Sequence, residues 1–152
     1  MALNAQISLS LLAHESSSGD LSKTVRVTPA SYAALVADGS AAGQAQITWS
    51  DSRTLSGASE TLSLASLADT RDGSPATVTL TSVSAYYVKN SGASTLAFAG
   101  APFPAGGQTV KAGGVAVQCD LTAAGMSTAT VTVTGTAGGA YDIVLIGRGS
   151  VS

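Results

Sequence analysis

The 152-residue sequence predicts an all-β protein, an antiparallel β-sandwich of jelly-roll or immunoglobulin-like type. Three observations carry that prediction. Residues 140–147, Ala-Tyr-Asp-Ile-Val-Leu-Ile-Gly, form an apolar, β-branched run bounded by glycines and too short for a membrane span. Such a run fits a strand buried on both faces. Residues 127–134 alternate strictly, with Ala129, Val131 and Val133 set against Thr128, Thr130, Thr132 and Thr134. A face of threonines makes a good sheet surface and a poor helix surface. Turn signals recur about every ten residues and separate about nine or ten short strands, with almost no helix.

Taken in order, residues 6–12 alternate as a half-buried strand, and residues 14–20 are a polar loop. Residues 23–28 alternate again, so the two runs read as a hairpin, ended by Pro29. Residues 31–38 space Tyr32, Leu35 and Val36 helically, yet also end at an Asp38-Gly39 turn, and the strand reading is preferred. Residues 39–43 are small and flexible. Residues 46–50 place Ile47 and Trp49 on one face, and Asp51-Ser52-Arg53 reads as a polar corner. Leu55, Leu62 and Leu64 mark a further strand or edge segment around Gly57. Residues 69–75 read as a charged loop. Residues 77–89 form a long alternating strand whose phase changes between Leu80 and Val83, which predicts a bulge near Thr81-Ser82. Short strands follow at Leu96-Phe98, Thr109-Val110 and residues 115–121. Between them lie the Asn90-Ser-Gly turn, the Pro- and Gly-rich loop of residues 100–107 and the Ala112-Gly-Gly turn. Two parts emerge: residues 1–43, an N-terminal arm or hairpin packed on the same domain, and residues 44–152, the sandwich core.

Composition narrows the class. Aromatics are 5%, which predicts a core of small aliphatic side chains. Charged residues are 11%, against roughly 25% in an ordinary soluble domain. A surface of Ser, Thr, Ala and Gly points to cover by other subunits in an assembly; the plain alternative is a Ser/Thr-rich sheet surface. The net charge of −2 is spread singly, with no basic cluster for a phosphate backbone, so no nucleic-acid partner is expected. No run approaches the ~20 apolar residues of a membrane helix, and the alternating N-terminus is not a leader, so no membrane partner and synthesis in a cytoplasm are expected.

The residues that could carry chemistry are few. His14, the one histidine, sits in a polar loop with no orienting partner for a triad. One His and one Cys exclude a zinc site of the usual N/S kind within one chain. Cys119 alternates with Val115 and Val117 and reads as a buried strand residue. Residues 69–73 lack the third acid and the bidentate Glu of a calcium loop. Asp120 and Asp142 could pair at a sandwich end for cation binding or acid–base work, but edge or rim positions are the commoner use. Gly147-Arg148-Gly149 follows the predicted last strand without a helix behind it, so it makes no phosphate cradle. Trp49 and Tyr86-Tyr87 could form a sugar platform; core packing is the default for Trp49, and one of the two tyrosines must face outward. No catalytic, cofactor or metal residue is assigned.

Several phrases, read together and in order, resemble a group of small structural proteins of tailed bacteriophages. They are Ala37-Asp-Gly-Ser-Ala-Ala-Gly-Gln44, Trp49-Ser-Asp-Ser-Arg-Thr-Leu55, Leu62-Ser-Leu64, Tyr86-Tyr-Val-Lys-Asn-Ser, Lys111-Ala-Gly-Gly-Val-Ala-Val and Tyr141-Asp-Ile-Val-Leu-Ile-Gly. The likeness runs from about Asp38 to Gly147. Met126 stands where the pattern usually has an aromatic. The resemblance implies a non-enzymatic virion protein: a capsid decoration or head-stabilising protein on the outer surface of the major capsid protein, a homo-oligomer with a trimer favoured. Ile7, Leu9, Leu11 and Leu12 are then the candidate capsid or subunit contacts, as an arm or added strand. The alternatives are a tail- or fibre-associated module and a carbohydrate-binding sandwich.

Overall fold

A computed structural model describes residues 3–11, 14–17, 23–26, 30–70 and 75–152. Its first strands are β1 (Ala5–Leu11), β2 (His14–Ser17), β3 (Lys23–Arg26), β4 (Ala30–Asp38) and β5 (Gln44–Ala45). Next come β6 (Ile47–Thr54), β7 (Ser59–Ser63), β8 (Leu67–Asp69), β9 (Ala76–Asn90) and β10 (Leu96–Ala99). The last are β11 (Gln108–Val110), β12 (Val115–Cys119), β13 (Thr130–Thr134) and β14 (Ala140–Val151). Among the described residues there is no helix, and the all-β sandwich is the fold. Twelve strands lie in three sheets, with β2–β3 a separate hairpin. That exceeds the expected nine or ten because β5 and β8 are too short to announce themselves by alternation.

The sandwich is built from a four-stranded sheet, β11-β10-β13-β7, and a five-stranded one, β12-β9-β14-β6, with β8 on β9. Period-2 alternation builds the core. Val131 and Val133 of β13, Leu96 and Phe98 of β10 and Leu62 of β7 face Val78, Leu80, Tyr86 and Val88 of β9, Tyr141, Ile143 and Leu145 of β14, and Ile47 and Trp49 of β6. The core is not only small aliphatics. Trp49, Tyr86, Phe98, Phe103 and Tyr141 are all buried. Phe103, from the loop after β10, stacks within 4.5 Å of Tyr86 and 5.4 Å of Phe98, and Phe98 meets Tyr141 edge-on at 5.4 Å. Such pairs add about 0.5–1.5 kcal/mol each beyond area burial.

The predicted bulge is present. Between β14 and β9 the register skips Thr81, and it skips again at Ser84, so Leu80, Val83 and Tyr86 all reach one face. The final strand corrects two expectations. It runs through Gly147-Arg148-Gly149 to Val151 rather than ending before them. From Ala140 to Gly147 only the odd residues are fully buried, because no second layer covers all of the outer face: Asp142, Val144 and Ile146 are half-buried. Asp51, Ser52 and Arg53, expected as a corner, lie within β6.

The N-terminal pairing also differs from expectation. β1 pairs over seven residues with β4, not with residues 23–28. This register sets Ala5 against Val36, Ile7 against Ala34 and Leu9 against Tyr32, apolar against apolar along one face. Lys23–Arg26, short and dicationic, instead pairs with His14–Ser17, which were expected as loop. The preferred strand reading of residues 31–38 holds. The β1–β4 ribbon joins the sandwich at its base. There β4 and β5 run parallel, and the Gly43 N–H donates to Leu121 O at 2.8 Å.

Candidate functional site

The ribbon's apolar face emerges gradually from the body. At its base Val36 is fully buried; Ala5, Ile7 and Ala34 are half-buried; further out Tyr32 is 45% and Leu9 60% exposed. On the opposite face Leu35 is 73% exposed. Of the predicted contact residues, Ile7 and Leu9 lie on this emerging face, and Leu11 continues β1 opposite Ala30. Leu12 lies outside the described residues. Tyr32 and Leu35, also exposed on the ribbon, were not among the candidate contact residues singled out from the sequence.

Among the described residues, one side-chain hydrogen bond ties the ribbon to the body beside this surface. The Cys119 thiol donates to the Tyr32 hydroxyl at 3.2 Å. Cys119 was expected to be buried with Val115 and Val117. It is half-buried, and the two valines are 56% and 40% exposed. The reason is that β12 is an edge strand whose odd residues point outward, while Ala116 turns to the core. Register then sets Val117, Tyr87, Val144 and Ser50 in one row across the outer face of the five-stranded sheet. Tyr86 is buried, and Tyr87 is the tyrosine that faces out, as one of the pair must. The outer face of the other sheet is different. Its rows are Thr109, Ala97, Thr134 and Ser59, then Ala99, Thr132 and Thr61.

The candidates for chemistry are dispersed. Asp142 accepts hydrogen bonds from Ser91 and Ser52, both at 2.7 Å, which hold its carboxyl below the ordinary range. Asp120 is lowered too, chiefly by the Thr122 N–H. Asp142 lies opposite Lys89, while the Asp120 N–H bonds Ser84 O. That separation along β9 is roughly 16 Å at the usual rise of a strand, beyond the reach of a cooperating carboxylate pair. Trp49 is buried and donates its Nε1–H to Ala68 O at 2.9 Å, so the default core role holds. It forms part of the wall of a groove of about 330 Å³ shared with Arg53, Thr61, Ser63 and Ser66, but offers no ring face as a platform. Residues 71–74 of the acidic loop lie outside the described residues, as does the His14 side chain. Among the described residues no three metal-ligating side chains come together.

Gly147-Arg148-Gly149 has a structural use. A Cβ at Gly147 would lie 2.1 Å from Ser82 O, and one at Gly149, with φ +157°, would lie 1.8 Å from Thr79 O. The bulged β9 backbone thus passes against β14 where only glycine fits. Between them Arg148 is buried and donates to the carbonyls of Ala41, Thr122 and Ala123 at 2.6–3.1 Å. It pins the base of the ribbon to the turn before Met126.

Sequence reasoning also missed a cluster of inward charges. β6 and β7 are the two edge strands on one side of the sandwich. Arg53 of β6 donates to Asp51 at 2.8 Å and to Glu60 of β7 at 2.9 and 3.1 Å, and Tyr141 OH donates to Glu60. Burial pushes the Glu60 carboxyl up, but the bonds from Arg53 and Tyr141 outweigh it and leave the carboxyl below its ordinary value. Burial, then the Glu60 bond, raises the Tyr141 phenol. Charges turned inward at an edge deter the docking of another strand there. Comparison with protein-family models, with characterised proteins and with solved structures returns no match to this chain.

Proposed function

We propose that this chain is a virion structural protein, a capsid decoration or head-stabilising protein held as a homo-oligomer on the outer surface of a major capsid lattice. The observation that supports this reading is the β1–β4 ribbon. It carries no charged side chain from Ala5 to Leu11 or from Ala30 to Ala37, and it presents Leu9, Tyr32 and Leu35 to the outside. A monomeric protein gains nothing by exposing these; a protein laid on a lattice covers them. The dispersed acids, and a histidine and cysteine far apart in sequence, agree with a mechanical role. Each contact is weak, since full burial of a Leu-sized side chain is worth about 1.5–3 kcal/mol. Many copies bridging neighbouring capsid subunits add such contacts into firm attachment.

The test is co-sedimentation with purified capsids. Removing residues 1–12 should abolish capsid binding and leave the sandwich folded, as read by Trp49 fluorescence. Unchanged occupancy would refute the reading. Imaging of virions labelled against the protein separates the head from the tail or fibre, since only a decoration protein labels the whole head.

A further inference from the structure

We propose that the free edge of β1 takes up β1 of a second copy of this chain, antiparallel and centred on Ser8, so that two ribbons fuse into one four-stranded sheet. The occupant of an open strand edge is another strand, held by main-chain hydrogen bonds. The chain treats its free edges unequally. β6 and β7 turn Asp51, Arg53 and Glu60 inward, and β11 is three residues long and followed by Lys111. β1 has none of these protections. Over seven residues it has no charge, no proline, no glycine and no register shift, and among the described residues its outer edge has no partner.

The pattern of β1 selects a second copy as that partner. Antiparallel pairing about Ser8 sets Ile7 opposite Leu9, Ala5 opposite Leu11 and Gln6 opposite Ser10. Apolar meets apolar on one face and polar meets polar on the other. Neither β1 nor β4 up to Ala37 brings a charge to the contact, so two copies meet without repulsion. A two-stranded ribbon is marginal by itself, and four strands form a stable sheet. Because the contact is isologous it closes at two copies. One short edge with its flanking side chains covers well under the ~800 Å² per partner of a firm interface, so the pairing is weak and depends on concentration. It needs no capsid and stands independently of the decoration role.

Sedimentation equilibrium of the full chain, from about 1 µM to several hundred µM, tests it. The expected wild-type behaviour is monomer–dimer exchange. Ser8→Lys and Ser8→Glu each set like charges directly opposite across the two-fold, and each should weaken dimerisation about fivefold or more; mixing the two variants should restore it. Trp49 fluorescence melts confirm that each variant is folded. Val117→Lys, on the other open edge, should change nothing. A wild-type chain monomeric throughout the range overturns the proposal. So does association indifferent to both Ser8 charges, association the mixture fails to restore, or association lost on Val117→Lys instead.

Discussion

The two edges at β6 and β7 and the two at β1 and β12 face the same physical problem and answer it in opposite ways. Each presents unpaired main-chain N–H and C=O groups. At β6 and β7 the inward-facing positions hold Asp51, Arg53 and Glu60, bonded to one another across the mouth of the sandwich. At β1 and β12 no such charges stand, and the strands present Leu9, Val115 and Val117 to the outside instead. A protein that only had to stay monomeric would guard all four. Guarding two and leaving two apolar marks one side of the molecule as closed and the other as available for contact.

The comparison has an internal standard, the β9–β14 pair, which has no open edge along their shared border. Gly149→Ala drives a Cβ into the Thr79 carbonyl. Because the obstacle is backbone, the two strands must part or the bulge must reform. The expected loss is the largest of any single change considered, about 3 kcal/mol or more, in the range of severe steric and backbone-strain substitutions. Urea unfolding followed by Trp49 emission measures it. A loss below about 1 kcal/mol would mean that β14 tolerates displacement there, and the distinction between pinned interior and adjustable edge would fail.

The guarded edge comes next. Arg53→Met removes the cation that serves two carboxylates and strands Glu60 beside the Tyr141 hydroxyl. Leaving a partly buried charged partner unsatisfied costs about 1–3 kcal/mol, and the lower half is expected because Arg53 is one-third exposed. The acid limb of stability checks the same network. The Glu60 carboxyl lies below its ordinary value of 4.5 in the folded chain, so the unfolded chain binds the proton first as pH falls. The contribution is therefore present above about pH 4.5 and lost as pH drops through the lower folded value. Glu60→Gln should be less stable than the parent at pH 7 and nearly equal to it at pH 3. A constant gap between the two would show that the cluster does not act through the Glu60 charge.

How much of this was legible in the sequence depends on whether a feature obeys period-2 alternation. Val131 and Val133 against threonines, and Leu80 to Val83 as a phase slip, were readable because alternation states which face is buried and where it breaks. Strand partners were not readable, since β1 alternates as well with residues 23–28 as with β4; length and charge decided it in space. The inward charges were misread as a corner because they stand where alternation calls for apolar side chains. Gly147 and Gly149 were read only as a glycine pattern after the last strand that makes no phosphate cradle, because the close approach of β9 is a long-range event that leaves no local mark. The exposed apolar residues fared in between. Ile7 and Leu9 were singled out as an arm, while the β12 valines were read as buried beside Cys119, which an edge strand does not provide.

The smallest effect is expected at the open edges, and that smallness is the point. Leu9→Lys and Val117→Lys replace side chains already 60% and 40% exposed, so the isolated molecule loses little packing. Surface substitutions of this kind stay within about 0.5 kcal/mol. Measured on dilute protein, both variants should therefore unfold with the parent's midpoint, in contrast to Arg53→Met. If either loses more than about 1 kcal/mol when dilute, its side chain supports the monomer, and the apolar side is a core rim in place of a surface kept for contact. If both stay neutral, the sequence keeps apolar groups at these positions for something other than the stability of a single copy. Reserving uncharged strand edges for other chains is the physical reason a sequence would do so.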